Sequence, residues 1–240
     1  SMSKEKIVSE VRRRVKNCSR EKLGWLRHVL LVDELGHLKD VQDFFELLLN
    51  QDTVEKDVAI FGMGYVGLTL SVALATLGHQ VVGLDISSDL INKLKLGEPH
   101  VYEPGLRDML RAVLNRKKIN FCSDLRDFQP NVFIIAVGTP INKNSEPDLN
   151  ALNQVIKNIG SVLKKGDLVI LRSTVPVGTT CKIVIPQLER LSGLISGESF
   201  HVAFAPERTI EGNAMQEFRT LPQVVGGLTE TCKQKAAQFW

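Results

Sequence analysis

With 240 residues, 43% hydrophobic and 24% charged, the chain can bury a full core as one large domain or one domain plus an appendage. Its formal charge of +3 is small for that size, and the basic residues are dispersed apart from Arg12, Arg13 and Arg14, which excludes the footprint of a nucleic-acid binder. Cys18, Cys122, Cys181 and Cys232 show neither a C-x-x-C pair nor metal-ligand spacing, and no apolar run reaches the roughly 20 residues that span a bilayer, so no metal site, disulfide framework or membrane span is expected, and reduced thiols fit the cytoplasm.

Ser1 and Met2 read as an expression scar. Residues 3–56 are expected to form an α-helical extension and its linker. Ile7, Val8, Val11 and Val15 fall on one helical face, the apolar stretch 23–36 reads as a second helix, and Leu38, Val41, Phe44, Phe45 and Leu48 line a third. From Asp57 the pattern changes to short apolar runs alternating with helical stretches. Strands are expected at 57–61, 80–85, 118–122, 132–137, 167–172, 201–205 and 223–225, which predicts βαβ units and an α/β fold with a doubly wound, mainly parallel sheet over 57–240.

Gly62, Gly64 and Gly67 stand in G-x-G-x-x-G spacing directly after the apolar strand "VAIF" and at the start of an apolar helix. A second strand then ends on Asp85, 18 residues after Gly67. In that context Gly62 permits a tight turn, Gly64 lets the backbone approach a pyrophosphate, and Gly67 lets the helix pack on the strand; Met63, Tyr65 and Val66 complete the loop. The helix N-terminus would face the phosphates. Asp85 can accept hydrogen bonds from the adenosine ribose and would repel a 2′-phosphate, which favours NAD over NADP.

Ligands of such sheets lie outside the carboxyl ends of the strands. Three predicted strands end there on small or polar residues: Val137, Gly138 and Thr139; Ser173 and Thr174; and Glu207, with Glu211 four residues on. Thr139, Ser173 and Thr179 read equally well as turn-making hydroxyls or as ligand contacts, and Glu207 with Arg208 could be a surface ion pair. For Thr174 and Glu207 position favours function, because a dinucleotide across this edge brings its nicotinamide near them.

The motifs "GMGYVGL", "GEPHVYEPGL", "VGTP", "STVPVGTT" and "PERTIEG", in that order, resemble the NAD-dependent nucleotide-sugar 6-dehydrogenases. The resemblance implies a Rossmann-type NAD domain, followed by a dimer-forming helix and a sugar-nucleotide domain beyond the end of this chain, which therefore reads as truncated. It further implies oxidation of a UDP-sugar C6 alcohol to the carboxylate with two NAD and a cysteine-bound thioester, in a cytoplasmic homo-oligomer. By this resemblance Thr174 holds a catalytic water in a buried position, Glu207 assists thioester hydrolysis, and Glu211 is the second acid of that loop. Tyr102, Glu103, Pro104 and Gly105 match a loop near the substrate. The segment 206–227 resembles the N-acetylhexosamine branch, so UDP-N-acetylmannosamine or UDP-N-acetylglucosamine is the expected substrate.

Two departures qualify the match. No basic residue follows Asp85 until Lys93, and the family's nucleophilic cysteine has no counterpart: Cys181, beside Lys182, has the most suggestive neighbour, but all four cysteines read as packing or surface residues. The fragment is accordingly expected to bind NAD without oxidising sugar. A β-hydroxyacid dehydrogenase domain, or a non-catalytic NAD-sensing or assembly module, are the alternative readings.

Overall fold

The computed structural model describes residues 28–32, 38–43, 56–125 and 128–240. The chain divides into two compact units, Ser1–Val54 and Glu55–Trp240.

In the first unit, β1 (His28–Val32) and β2 (Leu38–Asp43) pair antiparallel, with His28 opposite Asp43 and Leu30 opposite Val41. Helices were expected at both places. The run "HVLLV" carries valine near each end, and an apolar run of four residues has no period that separates a buried strand from a buried helical turn. A facing strand that satisfies its backbone groups decides the outcome. The first expected helix, Phe44, Phe45 and Leu48, and the linker lie outside the described residues.

The second unit is built on a seven-stranded sheet: β3 (Asp57–Phe61), β4 (Gln80–Leu84), β5 (Ile119–Cys122), β6 (Val132–Ile135), β7 (Leu168–Leu171), β8 (His201–Phe204) and β9 (Gly226–Gly227). Their spatial order is β5-β4-β3-β6-β7-β8-β9. All neighbours are parallel except β9, which runs antiparallel to β8 through Ala203 and Phe204. The expected strand 223–225 is displaced to Gly226–Gly227, because a two-residue edge pairing needs only backbone and leaves no side-chain alternation to read. Order reverses between β3 and β6, so the crevice for a ligand opens at the carboxyl ends of these two strands.

The strands read as continuous apolar runs because both faces are covered. Val58 and Ile60 of β3 join one core with Leu68, Val81, Leu110 and Phe121; Ala59 and Phe61 join the other with Val82, Phe133, Ile156, Leu171 and Leu188. The helix Tyr65–Thr76 that follows the glycine loop is apolar on nearly every side and buries Leu68 through Val72. Its two buried hydroxyls are satisfied inside the helix, Thr69 donating to the Tyr65 carbonyl at 2.8 Å and Ser71 to the Gly67 carbonyl at 2.6 Å. Among the described residues no helix is long and apolar enough to cross a membrane.

Candidate active site

The glycine loop is shaped by contacts that no side chain could share. Gly62 has φ +93°, and a Cβ there would lie 2.8 Å from the Ala136 carbonyl oxygen; a Cβ at Gly67 would fall 1.8 Å from the Gly62 oxygen. Gly64 caps the helix with no atom within 4 Å of where its Cβ would be, leaving open space in front of the helix N-terminus. The cradle fits a pyrophosphate held by backbone N–H groups.

Asp85, half-buried at the end of β4, organises this loop as well as facing the crevice. Its Oδ2 accepts from the Met63 N–H at 2.8 Å and its Oδ1 from the Ser87 N–H at 2.9 Å. Each oxygen keeps a lone pair for a ribose hydroxyl. The basic groups missing immediately after Asp85 come from further along the chain: Lys93, His100, Arg107 and Arg111, with Glu98 and Pro99, line an open cavity of about 510 Å³. Burial lowers the His100 pKa, Asp85 opposes that shift and Lys93 adds to it, so His100 lies within electrostatic reach of both.

Beyond β6 and β7 the hydroxyls tie loops together. Ser173, buried, donates to the Val137 carbonyl at 2.7 Å and lies 3.3 Å from the Ile135 carbonyl. Thr139 donates to the Thr174 carbonyl at 2.5 Å, and Thr179 to the Pro176 carbonyl at 2.8 Å. Thr174 itself is exposed, contrary to the buried position expected for it, because the chain turns outward at the end of β7 and the backbone tie from Thr139 fixes only its carbonyl. Gly178 follows in the same loop, which then enters a π-helical turn, Thr180–Val184, with Cys181 exposed on it.

Glu207 has a different partner from the one its neighbour suggested. Arg172, only 1% exposed, places Nε 3.0 Å and Nη2 2.8 Å from Glu207 Oε2, while Arg208 turns its Nη1 to the Pro222 carbonyl at 2.8 Å. Glu207 Oε1 accepts the N–H groups of Arg208 and Thr209 at 2.7 and 2.8 Å. Burial alone would raise the Glu207 pKa; the Arg172 charge and these N–H groups outweigh it and hold the carboxyl below its usual range. Arg172 also donates Nη1 to the Ala205 carbonyl and Gln223 Oε1, both at 3.2 Å, and stacks on the Trp240 ring at 4.8 Å. Sequence reasoning passed over Arg172. The available signal was an arginine closing a fully apolar strand, which demands a buried anion nearby.

The loop 102–105 is split in its behaviour. Tyr102 is 85% exposed and Pro104 and Gly105 are exposed, lining a second open cavity of about 530 Å³ with Pro99 to Val101. Glu103 is 5% exposed and turned inward: it accepts from the Tyr65 hydroxyl, the Gly212 N–H at 2.9 Å and the Met215 N–H at 3.2 Å. Glu211 is exposed on the loop that Glu103 holds.

Comparison with known proteins identifies the family of the second unit. Residues 56–240 match the family described as "UDP-glucose/GDP-mannose dehydrogenase family, NAD binding domain". The chain is 38% identical over 184 residues to the UDP-N-acetyl-D-mannosamine dehydrogenase of Pyrococcus horikoshii, covering 76% of this chain and 44% of that protein. It is 38% identical over 173 residues to the UDP-N-acetyl-D-glucosamine 6-dehydrogenase of Pseudomonas aeruginosa, covering 72% and 40%. A ternary complex of GDP-mannose dehydrogenase from Pseudomonas aeruginosa superposes with a TM-score of 0.72 at 32% identity, over 76% of this chain and 43% of that one. The chain thus spans less than half the length of these relatives. The match over 56–240, on a glycine loop and strand order of this kind, establishes that the chain belongs to the UDP-glucose/GDP-mannose dehydrogenase family and carries its NAD-binding domain.

Proposed function

We propose that this domain serves a UDP-sugar 6-dehydrogenase acting on an N-acetylhexosamine, UDP-N-acetylmannosamine or UDP-N-acetylglucosamine. The observation that carries the reading is the convergence of three strand ends, after β6, β7 and β8, on the crevice that the glycine loop opens. The two relatives at 38% identity both carry N-acetylhexosamine substrates in their names, which supports the choice of sugar.

NAD, when bound, accepts a hydride from the sugar carbon; alcohol to carboxylate is a four-electron oxidation and so consumes two NAD. The backbone N–H groups of Tyr65 and Val66 would hold the pyrophosphate, Asp85 the ribose, and Val137 to Thr139 with Ser173 would line the nicotinamide half. Thr174, exposed on the crevice side, positions a water with its hydroxyl. Glu207, kept anionic by Arg172, acts through its charge and through the loop it fixes, and Glu211 supplies a second carboxylate on that loop. Tyr102 and Pro104 present a surface to the sugar nucleotide.

The 240-residue chain should bind NAD but yield no NADH with either UDP-sugar: among its described cysteines Cys232 is fully buried, Cys122 donates its thiol to the Asp124 carbonyl, and Cys181 stands exposed on the turn Thr180–Val184, the surface position read for it from the sequence. Absorbance at 340 nm tests this: steady NADH release from the chain alone refutes the assignment. A longer protein containing the domain should release two NADH per uronic acid, and one would sink the two-step oxidation.

A further inference from the structure

We propose that Tyr65 and Glu103 form a positioning pair that locks the segment carrying Glu211 to the first residue of the dinucleotide-binding helix, so that cofactor affinity depends on a carboxylate that does not touch the cofactor. The inference rests on the NAD assignment and goes beyond it. Glu103 comes from the loop between the helices Ser88–Lys95 and Leu106–Asn115, Tyr65 from the start of the helix after β3, and Gly212 from the loop after β8. These three connections are remote in sequence. One carboxylate joins them: Oε2 takes the Tyr65 hydroxyl and the Gly212 N–H, and Oε1 takes the Met215 N–H near the start of the helix Ala214–Thr220. The Gly212 N–H also reaches the Tyr65 oxygen at 3.1 Å, closing a three-membered ring of hydrogen bonds.

A carboxylate this buried, with only neutral donors in its shell, is held for the geometry it imposes, since an apolar replacement would leave the Met215 N–H unpaired and the Gly212 N–H only its 3.1 Å contact to Tyr65. Gly212 adopts φ +91°, a left-handed turn that the tie keeps in place. Burial first, then the hydrogen bond to Glu103, pushes the Tyr65 hydroxyl pKa up to about 12, and Glu211 adds to the shift, so the phenol remains a proton donor to Glu103 at working pH with Glu211 close by. Because Tyr65 is the first residue of that helix, fixing its ring fixes the orientation of the N–H groups that face the pyrophosphate.

The test compares the 240-residue chain with Tyr65→Phe, Glu103→Gln and the double variant. Backbone amide exchange of Gly212 and Met215 is followed by NMR, and NAD binding by calorimetry. In each single variant these two amides should exchange at least tenfold faster while those of β3 and β6 keep their protection, and the NAD dissociation constant should rise about tenfold, the loss expected for one charge-assisted hydrogen bond. The double variant should bind NAD no worse than the weaker single, since the residues act as one unit. Unchanged amide protection, unchanged NAD affinity in Tyr65→Phe, or effects that multiply in the double variant overturn the proposal. Should Glu103→Gln fail to fold, Tyr65→Phe decides through the same two readouts. A wild-type chain that takes up no NAD would fault the cofactor assignment instead, and the amide exchange would still judge the pair.

Discussion

Arg172 and Glu207 meet side-on, two guanidinium nitrogens converging on one carboxylate oxygen at 3.0 and 2.8 Å, with the arginine side chain fully enclosed and the glutamate side chain 13% exposed. The second carboxylate oxygen is left to the backbone of the following turn. The pair therefore links the end of β7 to the loop after β8 and determines where that loop leaves the sheet.

Glu207→Gln preserves shape but strands the Arg172 cation in the interior. It should destabilise the chain by about 3–5 kcal/mol in urea unfolding. A loss below about 1 kcal/mol would place the pair with ordinary surface bridges.

The same pair sets an acid limit. The folded pKa of Glu207 lies below its unfolded value, so the unfolded chain takes up the proton first as pH falls. Its contribution is complete above the ordinary glutamate range, near pH 4.3, and drains away as pH drops through the lower folded value. Against wild type, Glu207→Gln should show a shallower loss of stability below about pH 4.3; equal slopes would mean that this carboxyl does not titrate with unfolding.

Gly64 and Gly67 should respond oppositely to one added methyl group. Gly67→Ala drives a Cβ into the Gly62 carbonyl and should cost about 1–3 kcal/mol or more, read as a fall in the melting midpoint. Gly64→Ala meets open space and should change stability by less than about 0.5 kcal/mol, yet weaken NAD binding, because a pyrophosphate on this loop would approach through that space. Full NAD affinity in Gly64→Ala would count against the phosphate position.

Asp85→Asn should act twice, on the proposed ribose contact and on the Met63 N–H that the carboxylate holds. A rise of about 10–100-fold in the NAD dissociation constant is expected, the range for losing a charge-assisted hydrogen bond, together with a smaller preference for NAD over NADP. An unchanged NAD to NADP ratio would remove the repulsion argument.

Ser173→Ala should cost about 1 kcal/mol, because the hydroxyl joins β7 to the Val137 carbonyl. Thr174→Ala, at an exposed position, should stay within about 0.5 kcal/mol of wild type in the same denaturation experiment.

The parallel sheet was legible because its strands are buried on both faces. A run such as Val58 to Phe61 leaves no room for another reading once a glycine turn follows it, and the motifs at the carboxyl edge stand in the order of the strands that carry them. Legibility ended where one residue's environment is supplied by a distant one. Nothing in "YEPGL" distinguishes Glu103, turned inward to Tyr65 and Gly212, from Tyr102, which faces solvent. The resemblance implied a buried Thr174, but that residue lies three positions past Leu171, the end of β7, where the chain has left the covered sheet. The hairpin β1–β2 and the edge strand β9 depend on partners in space, and their short sequences carry no period of their own.

The stack of Arg172 on the Trp240 indole, 4.8 Å from guanidinium to ring, gives the protein an intrinsic optical reporter. Trp25, the other tryptophan, belongs to the separate Ser1–Val54 unit, so replacing it by phenylalanine leaves a single indole, the one stacked on Arg172. Light emitted by that indole then follows the charge and placement of its cationic neighbour, and any movement of the β7 terminus on coenzyme uptake becomes a change in emission wavelength or intensity.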